Sequence, residues 1–482
     1  MATKTKSKKK SSSEKSSEKK SDHQRATEER SASGEIASRF DAFRELAQRR
    51  AEGQMVLLPR NLPPEERRLH VRQTLREDHR QRIHQTRSAD AKFEKLAGSV
   101  FSFFRGTCLL FYRDMAGEDA WMPTVLTLGD VHPENFGVMP SSDNTPIFGV
   151  NDFDEAYYAP FTWDIKRGAV GFMLAAREEG VHHKKQIRII ERFVSGYLDA
   201  IAGFADDGNE VELQVRLDNA PPLIQDLLKD SQEDREDWLE EYLDSKRQRF
   251  EASEEIVPVS SRVDDFQEII DRYKKENDLD PPERAGKLKV KDVARKKGSG
   301  TASLGLPRYF VLMEGPSENG RDDLILELKQ ARRSALAGLA PQSQYQEHGE
   351  ADRVVNAQAV HLVGGDPFYG HATIDDQSFL VRERSPFKND IDPEDLSKKE
   401  WRSYAEICGR SLAQAHALAD DSGAVEQDIE PLILEAVGAR ELFTADICRF
   451  ADNAIERIYQ DHEFFVADHE LGAFRTIDRA YE

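Results

Sequence analysis

Short apolar or alternating runs punctuate this chain, and longer stretches repeat apolar residues at helical spacing. The first kind predicts strands at Val125–Leu128, Lys289–Val293, Tyr309–Met313, Leu324–Lys329 and Phe379–Arg384. Phe136–Met139 and Ile147–Val150 predict the arms of a hairpin, joined by the turn-rich Pro140–Thr145. The second kind predicts a helix then a turn over Ala91–Gly106, a buried helix over Asp164–Ala176, and a further helix with Ile190, Phe193, Val194, Tyr197, Leu198 and Ile201 on one face. Helices are also expected around Ala351–Leu362 and Trp401–Ala419. Two or three more are expected over 425–482, anchored by Phe450, Tyr459, Phe464 and Phe465. Residues 205–280 are so charged that their helical patches, Asp237–Phe250 and Phe266–Tyr273, are expected at the surface, with no chemistry.

Composition narrows the picture. The 482 residues are 38% hydrophobic and 33% charged, with a formal net charge of -21. That charge argues against generic attraction of the body to nucleic acid or to an anionic membrane. Residues 1–35 are a basic, Ser-rich tract with too little to bury, expected to be disordered; a solubilising tether is the ordinary reading and a nucleic-acid arm the alternative. An arginine-rich helical segment follows over 38–87, broken at Leu58–Pro64. Its Arg67, Arg68, Arg72 and Arg76 suit phosphate or, more ordinarily, ion pairs with neighbouring acids. Cys108, Cys408 and Cys448 are far apart, which suggests a reducing compartment and no zinc site. No apolar run is long enough to span a bilayer and no secretory signal pattern stands at the start, so a cytoplasmic protein with no membrane partner is expected.

The chemistry concentrates between Gly129 and Arg167. The strand at Val125–Leu128 delivers Asp130, with His132 and Asn135 just after it, and the hairpin then returns Asp152 and Asp154 to the same neighbourhood. A carboxylate that orients a hydroxyl, and an amide with further carboxylates that hold a hard cation, are what phosphoryl transfer needs. Asp130 with His132 is the catalytic candidate, Asn135 and Asp152 are the metal candidates, and Asp154 is the reserve ligand. Arg105, beside a glycine after Phe101, Phe103 and Phe104, suits either a phosphate contact or an ion pair supporting this loop. Farther on, Gly300, Ser303 and Gly305 lie in a glycine-rich turn whose backbone suits phosphates, and Lys329 ends the strand Leu324–Lys329, one hairpin after that turn.

The spacing of Asp130 and Asn135 resembles the catalytic loop of protein kinases. G-D-V-H-P-E-N is closer to the aminoglycoside-phosphotransferase and choline-kinase branch. In that branch a metal-binding Asp is followed twelve residues later by a structural Asp, which implies that Asp164 supports the loop holding Asp130. The strand ending in Lys329 resembles the V-A-I-K strand of kinases, which implies a lysine on the nucleotide phosphates. Two positions depart from pattern: Leu128 stands where that branch has a His, and Ala302 replaces a glycine of the turn. Most of the chain, about 90 to 420, resembles the uncharacterised bacterial family called domain of unknown function 2252. The resemblance rests on Ser102–Gly106, the G-D-V-H-P-E-N-F-G, N-D-F-D-E-A and P-F-T-W-D-I-K-R segments, Gly300–Gly315, Leu328–Arg332 and Leu412–Ala417.

The order of parts is unlike a kinase. Glycine turn and lysine follow the catalytic Asp, and the helix that should precede the catalytic loop, L-A-Q-A-H-A-L with His416, stands near the other end. The expected fold is therefore α+β: a two-lobed, protein-kinase-like fold that is circularly permuted. Its parts would be a tail (1–35), a helical lobe with the catalytic and metal loops (36–288), a small β-rich nucleotide lobe (289–395), and C-terminal helices completing the helical lobe (396–482). The expected function is ATP- and magnesium-dependent phosphotransfer to a hydroxyl of a small molecule or protein. The alternatives are a metal-dependent phosphohydrolase using Asp130, His132, Asp152 and Asp154, and a catalytically silent nucleotide-binding scaffold of the same fold.

Overall fold

A computed structural model describes residues 58–80, 89–297, 306–317, 319–340, 349–387, 389–420 and 428–474. The tail over 1–35 and the turn containing Gly300, Ser303 and Gly305 lie outside them. From Leu62 onward the chain forms one compact unit.

Four helices open it: α1 (Pro64–Asp78), α2 (Ala89–Gly98), α3 (Val100–Gly106) and α4 (Cys108–Met115). Strand β1 (Thr124–Thr127), the hairpin β2 (Phe136–Pro140) and β3 (Pro146–Val150), and β4 (Tyr157–Pro160) come next. Helices α5 (Phe161–Glu178), α6 (His183–Asp207), α7 (Pro222–Asp230) and α8 (Arg235–Glu240) follow. Then come β5 (Ile256–Pro258), α9 (Val263–Glu276), β6 (Val290–Lys296), β7 (Arg308–Met313), β8 (Leu324–Gln330) and α10 (Glu350–His361). The described chain closes with β9 (Gly370–Ile374), β10 (Gln377–Arg384), β11 (Asn389–Asp390), α11 (Glu400–Ala417), α12 (Ile429–Val437) and α13 (Arg440–Glu470).

The fold is α+β. One antiparallel sheet has six strands in the order β5-β6-β7-β8-β10-β9; β1 pairs with β4, and β11 adds to the β2–β3 hairpin. Around the hairpin and the β1–β4 pair, the helices bury one large apolar core that includes Trp163, Phe172, Tyr197 and Tyr404. Helices α6 and α11 pack so closely that a Cβ on Gly409 would lie 2.1 Å from the Phe193 carbonyl oxygen. The arginines of α1 bind helix acids: buried Arg67 reaches Asp114 at 2.6 Å and also pairs with Asp461, while Arg68 and Arg72 share Asp468.

The six-stranded sheet has separate apolar clusters. Phe266, Ile269, Ile270 and Tyr273 of α9 pack on one face, and Trp238, Leu239 and Phe250 on the other. Both groups come from the 205–280 stretch expected at the surface. The mean charge of that stretch hides a narrow stripe spaced i, i+3, i+4, i+7, which suffices to cover a sheet. The sheet therefore takes β5 and its covering helix from before residue 289. Among the described residues no helix is long and apolar enough to cross a membrane.

Candidate active site

Asp130 follows β1 by a tight turn at Gly129, whose φ is +76°. A Cβ there would sit 2.4 Å from the Glu155 carbonyl oxygen, so glycine is required for both conformation and space. Asp164, in the first turn of α5 and fully buried, clamps this turn. Its Oδ2 accepts from the Leu128 N–H at 2.6 Å and its Oδ1 from the Gly129 N–H at 3.0 Å. His416 Nε2 lies 3.1 Å from Asp164 Oδ2, and His416 Nδ1 lies 2.9 Å from the Tyr197 hydroxyl. The carboxylate accepts from Nε2–H, so Nδ1 accepts from the tyrosine. Leu128 thus serves the clamp through its backbone.

The two oxygens of Asp130 have different surroundings. Arg167, one turn after Asp164 on α5, donates Nε (2.8 Å) and Nη2 (2.5 Å) to Oδ1. Its guanidinium is fully buried and lies 4.1 Å from the centre of the Phe104 ring. His132 Nε2 is 3.9 Å from Oδ2. Burial raises the Asp130 pKa above the ordinary carboxylate value; Arg167 opposes this, while Glu155 and Asp152 add to it. His132 is also buried, which together with the Arg105 and Arg167 charges pushes its pKa well down and keeps it neutral. Its Nδ1 accepts from the Glu134 N–H at 3.2 Å, so the proton sits on Nε2, facing Asp130.

Asn135 donates its side-chain N–H to the Asp130 carbonyl at 2.7 Å, and its own carbonyl accepts from Asn151 N–H at 3.1 Å. The hairpin register, Phe136 opposite Val150, brings the start of the returning loop beside the end of the catalytic one. Asp152 stands two residues after Val150, and its Oδ1 accepts the Asp154 N–H at 3.0 Å. Asp154 forms an ion pair with Lys329 of β8. Burial works to raise the Asp154 pKa, but Lys329, Arg332 and Arg382 together hold it down at about 2. Arg105 pairs with Glu134 of the Pro133–Asn135 turn, so it is seated as a support of this loop.

Residues to which the sequence assigned no role complete the loop's frame. Arg332, buried, binds Glu155 at 2.6 Å. Arg353 of α10 donates to the carbonyls of Ala156 (2.8 Å), Asp154 (2.8 Å) and Arg332 (3.0 Å). Arg353 is a basic residue in a helix, indistinguishable in sequence from a surface arginine, whereas Arg167 closes the P-F-T-W-D-I-K-R segment without any sign there of its partner. Glu327, two residues before Lys329, is buried between Arg382 (2.6 Å) and Arg308 (3.1 Å).

Over residues 82–468 the chain matches the family described as uncharacterized proteins conserved in bacteria (DUF2252). It belongs to that family. No curated protein and no solved structure matches it.

In this DUF2252 protein Asn135 and Asp152 supply the kind of oxygen donors that could hold magnesium. Asn135 commits its amide nitrogen to Asp130, which turns the amide oxygen away, and the Asp152 carboxylate stands at the start of the adjoining loop. Magnesium typically takes one or two such protein ligands and completes its shell with water and phosphate oxygens.

Proposed function

We propose that this protein is an ATP- and magnesium-dependent phosphotransferase acting on a hydroxyl acceptor, built on a circularly permuted, two-lobed kinase-like fold. The observation that carries this reading is the clamp: Asp164 accepts the two backbone N–H groups that deliver Asp130. The hairpin then returns Asp152 beside Asn135, and Lys329 reaches the same loop through Asp154. In a permuted kinase these parts are a supported catalytic Asp, its metal ligands and the phosphate-binding lysine.

Each residue has a derivable task. Asp130, its Oδ1 fixed by Arg167, presents Oδ2 to an acceptor hydroxyl and takes its proton, which a burial-raised pKa favours. Asn135 and Asp152 would hold magnesium, which neutralises charge on the phosphates. Lys329 would exchange Asp154 for the phosphate chain. The phosphohydrolase reading is weaker, because His132 would have to ligate metal. Its Nδ1 is occupied by a backbone N–H and its Nε2 carries the proton.

The test is the melting temperature with ATP, with and without magnesium. The wild-type protein should be stabilised by ATP only when magnesium is present, and Asp152→Asn should lose that shift while its apo form melts normally. An undiminished shift in Asp152→Asn would remove Asp152 from the metal site. Incubating the protein with cell extract and labelled ATP then tests transfer; no labelled acceptor would favour the silent scaffold.

A further inference from the structure

A cavity opens between the β2–β3 hairpin, the start of the Asp152 loop, α10 and the end of β10, with a volume of about 550 Å³ counting its mouth. That is the size of a small-molecule site. Its walls are mainly apolar, built by Val138, Met139, Phe153, Leu362 and Tyr369. Two of these rings are held by neighbours: Phe153 stacks on His361 at 6.0 Å, and Tyr369 meets Phe153 edge-on at 6.2 Å.

Four charged side chains line the same cavity, and three of them are committed elsewhere. Arg382 binds Glu327 at 2.6 Å. Glu383 is held by Arg284 at 2.6 Å and Arg235 at 2.8 Å. Asp366 accepts the N–H groups of Phe368 and Glu383. Arg384 is the exception. Among the described residues its half-buried side chain forms no hydrogen bond or ion pair, and its Nε is buried without an acceptor. Strand register explains this, because Arg384 stands opposite apolar Ile325. Glu327, which feels the Arg384 charge, has one oxygen on Arg308 and the other on Arg382. Ser385 lines the cavity next to Arg384; its Oγ accepts the Phe387 N–H at 3.1 Å, which leaves the hydroxyl proton to donate.

A half-buried cation without a counter-ion is unfavourable, and a ligand carboxylate relieves it through a charge-assisted, two-pronged hydrogen bond. A neutral base would cover the apolar walls but leave the guanidinium uncompensated. A phosphate dianion would bring a second negative charge close to Asp366 and Glu383, where only one cation is free. We propose that this cavity binds a small organic carboxylate, its apolar body against Met139, Phe153, Leu362 and Tyr369 and its single negative charge on Arg384 and Ser385. The site needs neither nucleotide nor magnesium, so it stands apart from the phosphotransferase reading.

Isothermal titration of the full chain with 3-phenylpropionate, 3-phenylpropionamide, acetate and adenosine, without nucleotide or metal, decides it. 3-Phenylpropionate should bind at least about tenfold more tightly than its amide, which lacks the charge, and than acetate, which lacks the apolar body. Equal affinity of acid and amide, or no binding of the acid, overturns the proposal. Adenosine binding more tightly than 3-phenylpropionate would make the cavity a base slot and overturns it as well. Arg384→Gln should bring the acid down to the affinity of the amide and leave the amide unchanged, whereas an undiminished acid affinity in the folded variant counts against the site. Met139→Trp fills the hollow and should abolish binding of the acid; retained binding would put the acid elsewhere on the molecule. If neither variant folds, the comparison of acid with amide on the wild-type protein decides alone. None of these outcomes alters the magnesium-dependent ATP shift, which tests the phosphotransferase reading separately.

Discussion

Lys329 is ion-paired with Asp154, a residue 175 positions earlier in the chain. The partner is neither Asp152 nor a glutamate of α10. Glu350 is paired with Arg353, and Glu347 lies outside the described residues. The pair ties the end of β8 to the loop after the hairpin and leaves Asp152 with only a backbone N–H on one of its oxygens among the described contacts.

That pair should be visible in acid stability. The folded pKa of Asp154 is lowered from 3.8 to about 2, so its contribution is present above pH 3.8 and lost as pH falls through 2. Asp154→Asn leaves Lys329 buried without its counter-ion and should cost about 3 kcal/mol at neutral pH. The difference from wild type should shrink as pH falls toward 2, measured by denaturant unfolding. A constant difference would mean that the pair does not govern the titration.

Arg167 is a positioning residue for Asp130. Arg167→Met should raise the Asp130 pKa further, since burial would then act unopposed. The acid limb of the pH–rate profile for ATP turnover should move to higher pH, with turnover down by about a hundredfold. Arg167→Lys keeps the charge and should restore the limb more than the rate. A profile unmoved in Arg167→Met would reduce Arg167 to a packing role.

Asp164 accepts three hydrogen bonds in a fully buried place. Asp164→Ala leaves two backbone N–H groups unsatisfied and should cost about 4 kcal/mol, at about 1–3 kcal/mol per orphaned group. Asp164→Asn keeps one acceptor and should cost less. The denaturation midpoint reports this; equal losses in the two variants would show that the lost side-chain charge, not the backbone clamp, is what matters.

Asp366 gives a second pH signature, of opposite sign. Burial, and then the nearby Glu383 carboxylate, raise its pKa from 3.8 to about 7, although the Phe368 and Glu383 N–H groups donate to it at 2.8 and 2.7 Å and Arg284 is near. A raised pKa means that its stabilising contribution is full below 3.8 and is lost as pH rises through 7. Wild type should lose stability over that window relative to Asp366→Asn, by melting temperature at successive pH values. Parallel curves would place the titration elsewhere.

The sequence by itself determined most local elements and where the chemistry is concentrated. The run Val125–Leu128, the hairpin with its Pro140–Thr145 turn and the helical stripe through Phe193 and Tyr197 are set by nearest-neighbour periodicity and turn residues, which act over a few positions. The spacing of Asp130, Asn135, Asp152 and Asp164 is likewise a property of the chain order, and so it could be read without coordinates. Tertiary structure alone decided who partners whom. Arg167 on Asp130, Asp154 on Lys329, Arg353 on the loop carbonyls and Glu327 between two arginines join residues whose separation carries no periodic signal. The same is true of Trp238 and α9, whose apolar stripe is meaningful only once a sheet face lies opposite. Periodicity reports which side of an element avoids water, whereas a buried charge is fixed by whichever counter-charge the packing brings within hydrogen-bond reach.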